Sequence, residues 1–222
     1  MAHIKRIAVG YGKEKYWVVR PNAGAHKLDE SIPLLVLIRD VLGYADTARE
    51  SKKIVNEGLV LVDKQPRLEC SYGVGLMDVV EIPKLKKFFR VMASPKGLVL
   101  KEISEKESHV KLCKIVGKTI LQKGLTQLHL HDGTNMTVDK DECKVNDTLV
   151  IDLTTRKISG TIEFAKGNIG LVVRGRNSGV SDKITEVVSG TATRKSLTKL
   201  GNVHTLTEYV FVVGKDKPLV PT

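Results

Sequence analysis

Arg49, Lys52, Lys53 and Asn56 stand at i, i+3, i+4 and i+7 in DTARESKKIVNEG, so a helix there carries three cations and an amide on one face. Such a face has one obvious chemistry, the neutralisation of phosphates on a polyanion, and one bland alternative, a solvated surface with no partner. A second concentration of charge precedes it. Residues 1 to 27 hold Lys5, Arg6, Lys13, Lys15, Arg20 and Lys27, with His3 and His26, against the single acid Glu14. Trp17, beside Tyr16 and Arg20 in this basic arm, either stacks on a base or anchors the arm to the domain that follows. The stretch RPNAGAHKL, residues 20 to 28, has no period of 2 or 3.6 to bury. It either threads along a polyanion, ordered by phosphates, or packs on the adjoining domain through His26 and Leu28. Between Arg156 and Lys217 the chain has eleven Lys or Arg against five acids, so the basic character lies mainly at its two ends. Two separated basic modules suit a ligand large enough to reach both, and structured RNA is such a ligand.

Other chemistry is poorly supported. Cys70, Cys113 and Cys143 are far apart and outside any CxxC spacing, which predicts reduced, mostly buried thiols in place of disulfides or a zinc site. His129 and His131 alternate along a strand and share a side, as metal ligands do, yet no third ligand stands at convincing spacing. They read as polar face residues, and no metal or cofactor is expected. Nucleophile-elbow, P-loop, dinucleotide and HExxH motifs are absent from the sequence, and the lone carboxylates Asp78 and Asp152 suit structural roles at strand edges. The net charge of +11 over 222 residues names a polyanionic partner and says nothing of fold. No stretch approaches the 18 or so apolar residues of a membrane span, and MAHIKRIAVGYGKEK has no long apolar region, so a cytoplasmic protein without a membrane partner is expected.

The elements that position these residues follow from local signals. SIPLLVLIRDVLG predicts a helix over 33–42, with Ser31 as its oxygen cap, Pro33 in the first turn and Gly43 as a left-handed end. Thr47 and Glu50 have capping-box spacing for the cationic helix, which Gly58 stops and Ala48, Ile54 and Val55 give an apolar stripe. LVLVDKQPRLEC reads as strand, turn and strand with the turn at Asp63 to Pro66, and GVGLMDVVEI as a glycine-rich approach to another strand. KLKKFFR, 84 to 90, reads as a boundary. Beyond it come short β runs, a hairpin at Asp132-Gly133, a short helix near Ser104 to Lys111, and a small β barrel in the final third.

The order of several blocks carries a family resemblance: HIKRIA at 3–8, RP...G.HK at 20–27, SIPLLVLIRD at 31–40, ESKKI at 50–54, GLMDVVEI at 75–82 and KLCKI at 111–115. LHDG at 130–133, KVNDTLVIDL at 144–153, GNIGLVV at 167–173 and YVFVVGKDKP at 209–218 continue it. Over essentially its whole length the chain resembles the S4e family of small-subunit ribosomal proteins of archaea and eukaryotes. The resemblance implies an α+β, multi-domain protein. Its parts are a basic arm (1–30), an S4-like RNA-binding domain of two helices and strands (31–86), a central antiparallel β domain (87–160) and a C-terminal KOW-type, SH3-like β barrel with a tail (161–222). Carried onto this sequence, the S4-like contacts fall on Arg39, Arg49, Lys52, Lys53 and the turn containing Lys64 and Arg67, and the KOW contacts on Arg174, Arg176 and Asn177 among Gly167, Asn168, Gly175 and Gly179. The implied partners are small-subunit ribosomal RNA and neighbouring ribosomal proteins in the cytoplasmic ribosome, with no small-molecule substrate. The end soon after KDKP is similar to compact archaeal members.

Two residues depart from the family pattern. Lys64 stands where a turn glycine is expected, which puts the turn type in question, and Asp182 replaces a glycine after the KOW loop, adding an acid near the proposed contact. Contacts to A-form RNA should be mainly to phosphates, 2′-hydroxyls and shape, and neutralising about eight phosphates gives a salt slope of roughly six to seven. The other function classes are an RNA-modifying enzyme and a transient factor that docks protein on the KOW barrel.

Overall fold

The computed structural model describes residues 19–139, 143–191 and 193–220. Contacts divide the chain into two compact units, the first reaching Met92 and resuming over Lys96–Lys111, the second formed by Ala93–Pro95 and Leu112–Thr222.

The first unit contains β1 (Ser31–Pro33), α1 (Leu34–Val36), α2 (Ala48–Asn56), β2 (Leu61–Val62), β3 (Gln65–Pro66), β4 (Gly73–Gly75), β5 (Val79–Ile82), β6 (Lys87–Ser94), β7 (Gly97–Glu102) and α3 (Glu105–Ser108). α1 continues as a wider π turn over Leu37–Val41. Every residue from Ile32 to Ile38 except Pro33 is at most 1% exposed among the apolar side chains, as expected of a helix that is apolar all round. It packs with Val55, Val60, Val62, Val74, Val80, Phe89 and Val91 in one core.

The predicted helix over 33–42 is present, but its start is not capped as expected. Ser31 lies in β1, paired with Gly75 of β4, and its hydroxyl has no hydrogen-bond partner among the described residues. The first helical N–H groups are instead satisfied by backbone: Leu34 donates to Tyr72 O at 2.9 Å and Leu35 to Cys70 O at 3.0 Å. At the other end Leu42 N–H reaches Leu37 O at 2.9 Å, and Gly43 turns left-handed at φ +65°.

A five-stranded sheet in the order β3-β2-β5-β6-β7 runs across the position of the expected boundary at 86/87. β6 pairs antiparallel with β5 from Val79↔Arg90 to Ile82↔Lys87, so KLKK is only the connection between neighbouring strands. Phe89 and Val91 enter the same core as Val80 and Ile82, which outweighs the local charge signal at 84–87.

The second unit carries two five-stranded antiparallel sheets. β8 (Val110–Ile120), whose first two residues belong to the first unit, β9 (Thr126–Leu130), β10 (Asn135–Val138), β11 (Thr148–Asp152) and β12 (Lys157–Ile162) form one, in the order β10-β9-β8-β11-β12, over Cys113, Ile115, Leu128, Leu130, Leu149 and Ile151. β13 (Ile169–Val172), β14 (Ser181–Val188), β15 (Leu197–Leu200), β16 (Val203–Leu206) and β17 (Val210–Gly214) form the other, in the order β16-β15-β14-β13-β17. There the last strand returns to pair with the first, the arrangement of an SH3-like half-barrel, and bulges at Ile169/Gly170 and Ile184/Glu186 bend the strands. Gly170 is required by packing: a Cβ would sit 2.7 Å from Leu200 and 2.9 Å from Val210. The Asp132-Gly133 turn between β9 and β10 and the short α3 both form where the sequence places them.

Candidate nucleic-acid interface

α2 is fixed by a complete capping box. Glu50 N–H donates to Thr47 Oγ1 at 3.2 Å, while Asp46 and Thr47 N–H donate to Glu50 Oε2 at 3.0 and 3.3 Å. Those two backbone donors hold the Glu50 carboxyl below the usual range. Val55 and Ser51 are buried with Ala48 and Ile54 half-buried, so Arg49, Lys52, Lys53 and Asn56 all face solvent. Among the described residues none of these three cations makes an ion pair.

The other S4-like candidates are placed differently. Arg39 closes a two-bond fork on Asp40, with Nε at 3.0 Å from Oδ1 and Nη2 at 2.9 Å from Oδ2, which raises its pKa and balances its charge locally. Lys64 Nζ lies 2.8 Å from Glu81 Oε1, 3.0 Å from Ser108 Oγ and 5.7 Å from the Phe88 ring centre. The turn in question is a two-residue link between β2 and β3 in which Asp63 and Lys64 both have positive φ, +52° and +63°. Lys64 takes the left-handed conformation without glycine, and its amine is held inside the unit. Arg67 lies 4.4 Å over the Tyr72 ring, with Nε buried and without a hydrogen-bond partner among the described residues.

In the arm, Arg20 and Lys27 are exposed, while the His26 side chain is 4% exposed and its Nε2 lies 2.9 Å from Asp78 Oδ2. Leu28 is 41% exposed, so of the two residues expected to pack this stretch only His26 does so. Lys5, Arg6, Lys13, Lys15 and Trp17 lie outside the described residues.

Arg174, Arg176 and Asn177 are exposed on the loop between β13 and β14, which turns at Gly175 (φ +91°) and Gly179 (φ +88°). Ser178 N–H to Gly175 O at 3.2 Å and Val180 N–H to Asn177 O at 3.2 Å fix its shape. Asn168 serves the backbone, its Nδ2 donating to Glu163 O at 2.7 Å. Asp182 accepts Lys183 N–H at 2.7 Å, and its carboxylate occupies the space beside Gly201. The extra acid therefore belongs to a turn contact within the half-barrel.

Buried charge is the feature sequence reasoning missed. Lys111 Nζ bridges Asp63 Oδ2 at 2.6 Å and Asp78 Oδ1 at 2.7 Å, and Asp78 Oδ2 also accepts Gly75 N–H at 2.9 Å. Burial alone would raise the Asp78 carboxyl, yet Lys111, His26 and the Gly75 N–H hold it well below the usual range. Asp63 is shifted the other way, upward, by burial and then by the Asp78 charge. In the second unit Lys114 Nζ donates to Val210 O at 2.7 Å, Glu208 O at 3.0 Å and Thr207 O at 3.3 Å, and burial pushes its pKa down to about 8. The local sequence KLCKI does not show that Lys111 and Lys114 are buried; only their distant partners reveal it.

Cys113, His131 and Asp132 bring ligand atoms within 4.8 Å of one another, a grouping the spacing did not announce. Their hydrogen bonds suit the hairpin: Lys114 N–H donates to His131 Nδ1 at 3.2 Å, and Asp132 Oδ1 accepts Thr134 N–H at 3.1 Å. A metal-bound imidazole normally donates through its second nitrogen, and here that nitrogen accepts. His129 sits between Thr119 Oγ1 at 2.8 Å and Asn135 Oδ1 at 2.7 Å. Asp152 ends β11 by accepting Thr154 N–H at 2.8 Å.

Comparison with known proteins matches residues 33–80 to the S4 domain and residues 85–158 to Ribosomal family S4e. A protein of Methanosphaera stadtmanae named small ribosomal subunit protein eS4 is 44% identical, covering 98% of this chain and 94% of its own. One of the same name from Ignicoccus hospitalis is 39% identical, covering 98% and 93%. The crystal structure of the 30S ribosomal protein S4e from Thermoplasma acidophilum superposes with a TM-score of 0.76 at 31% identity, over 84% of this chain and 96% of that one.

Proposed function

This chain belongs to the S4e family of small-subunit ribosomal proteins, and we propose that it serves in the small subunit as a structural constituent that binds ribosomal RNA through the exposed cationic face of α2. The observation that carries the reading is that face itself: Arg49, Lys52 and Lys53, with no ion pair among the described residues, are exposed on a capped helix inside the stretch matching the S4 domain. A helix held by its own box and core presents three cations at fixed spacing, which suits phosphates along an RNA backbone and requires no base reading. Arg174, Arg176 and Asn177 provide a second contact on the glycine-bounded loop of the half-barrel. Arg20 and Lys27 provide a third, and the exposed remaining surface meets neighbouring ribosomal proteins. Arg39, Lys64 and Arg67 support the fold around α2 and make a smaller contribution to RNA contact than the α2 face. The place of action is the cytoplasmic ribosome, and the work is to fix RNA helices in position; no reaction is assigned to it.

The test is the combined variant Arg49→Gln, Lys52→Gln and Lys53→Gln, measured for binding to small-subunit ribosomal RNA over a salt series. Loss of three phosphate contacts lowers the salt slope by roughly two to three and weakens binding at low salt. Unchanged affinity and slope would remove α2 from the interface and overturn the reading.

A further inference from the structure

The patternless stretch from Arg20 to Leu28 curls around an open concavity of its own backbone and side chains. It is fastened to the first unit at two points. At one, Asn22 N–H donates to Ser71 O at 2.8 Å and its side-chain amide donates to Glu69. At the other, the His26 ring lies against Gly75 so closely that a Cβ there would stand 2.3 Å from the ring's Cγ. Asp78, held ionised, can only accept, so His26 Nε2 carries the proton and donates to it. The neighbouring glycine of the same strand is fitted to the same stretch: a Cβ on Gly73 would meet Ser31 Oγ at 3.0 Å and Pro21 Cβ at 3.4 Å. Both glycines of GVG in β4 thus leave room for the arm, Pro21 is buried, and Arg20 and Lys27 are exposed at the two ends of the curl.

We propose that residues 20–28 form a preshaped cradle for an RNA phosphodiester backbone, with Arg20 and Lys27 as its cations and the insertion of His26 between Gly75 and Asp78 as the latch that sets their spacing. The inference rests on the RNA-binding reading above and adds to it a site and the device that orders it. A segment without a core of its own loses affinity if it must be ordered at the moment of binding, and a latch made inside the protein removes that cost beforehand. His26 is accordingly a positioning residue. Neither Gly75 nor His26 has to touch RNA for either to matter.

The experiment compares Gly75→Ala, His26→Ala, the double variant and Arg20→Gln/Lys27→Gln for binding to small-subunit ribosomal RNA over a salt series, with hydrogen exchange of residues 20–28 in the free protein. Gly75 has no positive φ, so alanine is tolerated by the backbone and its methyl meets chiefly the His26 ring. Gly75→Ala and His26→Ala should each release the exchange protection of 20–28 and weaken binding about tenfold, with the salt slope retained because the cations remain. In the double variant the methyl has no ring to displace, so Gly75→Ala should add little to His26→Ala. Removing the two cations should lower the slope by roughly 1.4 to 1.8. Latch variants that free the loop yet bind as the wild type does would overturn the proposal, as would an unchanged slope on removing Arg20 and Lys27. A wild-type affinity in the α2 triple variant is a separate outcome that removes the α2 reading while leaving the cradle to be judged on its own four variants.

Discussion

Replacing Lys111 with methionine removes the cation that lies between the buried carboxylate of Asp78 and the partly exposed one of Asp63. Its side chain is 4% exposed, that of Asp78 is 2% exposed, and the ammonium reaches both Asp78 and Asp63 at 2.7 Å or less. Methionine keeps most of the stem volume, so the packing loss is small and the effect is electrostatic. Breaking a buried pair from one side costs about 3–5 kcal/mol, and the lower part of that range applies here because Asp78 keeps the His26 ring and the Gly75 N–H and Asp63 keeps the Val79 N–H. With two carboxylates left, and Asp63 already shifted upward by burial, the variant relieves part of this by taking up a proton. The sign in pH follows from Asp78. Its folded pKa lies below its unfolded value, so the stabilisation is present above about pH 4, the unfolded carboxylate range, and is lost as pH falls further. The difference between wild type and Lys111→Met is therefore largest near neutrality and shrinks below about pH 4. Native-state hydrogen exchange of the first unit, measured at several pH values, reads it directly. A difference under about 1 kcal/mol at pH 7, or one that grows on acidification, would refute the assignment of an ionised Asp78 held by Lys111.

Three further outcomes follow from particular contacts. Thr47→Ala removes the oxygen that accepts Glu50 N–H and should destabilise the first unit by about 1 kcal/mol, seen as faster exchange at the start of α2. Gly170→Ala places a methyl 2.7 Å from Leu200 and should lower the stability of the half-barrel by about 1–3 kcal/mol in chemical denaturation. Lys114, pushed down to about 8 when folded, keeps its proton in the unfolded chain up to about 10.4, so the unfolded state binds more protons in that window. Stability of the second unit should then rise between about pH 8 and 10, by up to about 3 kcal/mol, relative to Lys114→Met, in which this contribution is absent.

What the sequence made legible was local. The Thr47–Glu50 box, the left-handed ends at Gly43 and Gly58 and the Asp132-Gly133 hairpin rest on neighbours within a few residues, and all formed as read. Ser31 did not cap because it lies in a strand paired with Gly75, over forty positions away, and the helix begins after Pro33. Beyond the charged KLKK run, Phe89 and Val91 share a core with Val80 and Ile82, a long-range contact that the local charge pattern does not reveal. At the site, exposure of Arg49, Lys52 and Lys53 followed from helix period alone. The engagement of Lys64 and His26 did not, since the fates of a lysine amine or an imidazole depend on which carboxylates the fold brings to them, Glu81 and Asp78 here. Lys114 makes the point most sharply: its acceptors are carbonyls at 207 to 210.

The most direct test of the central claim is sedimentation of the tagged full-length chain with ribosomal subunits from its own cells, through a high-salt wash. A constituent of the small subunit held by many phosphate contacts remains with that subunit's peak at about one copy each, and the α2 triple variant is depleted from it. Recovery of the wild-type chain at the top of the gradient, or its release from the subunit at salt that leaves other small-subunit proteins in place, would contradict the account.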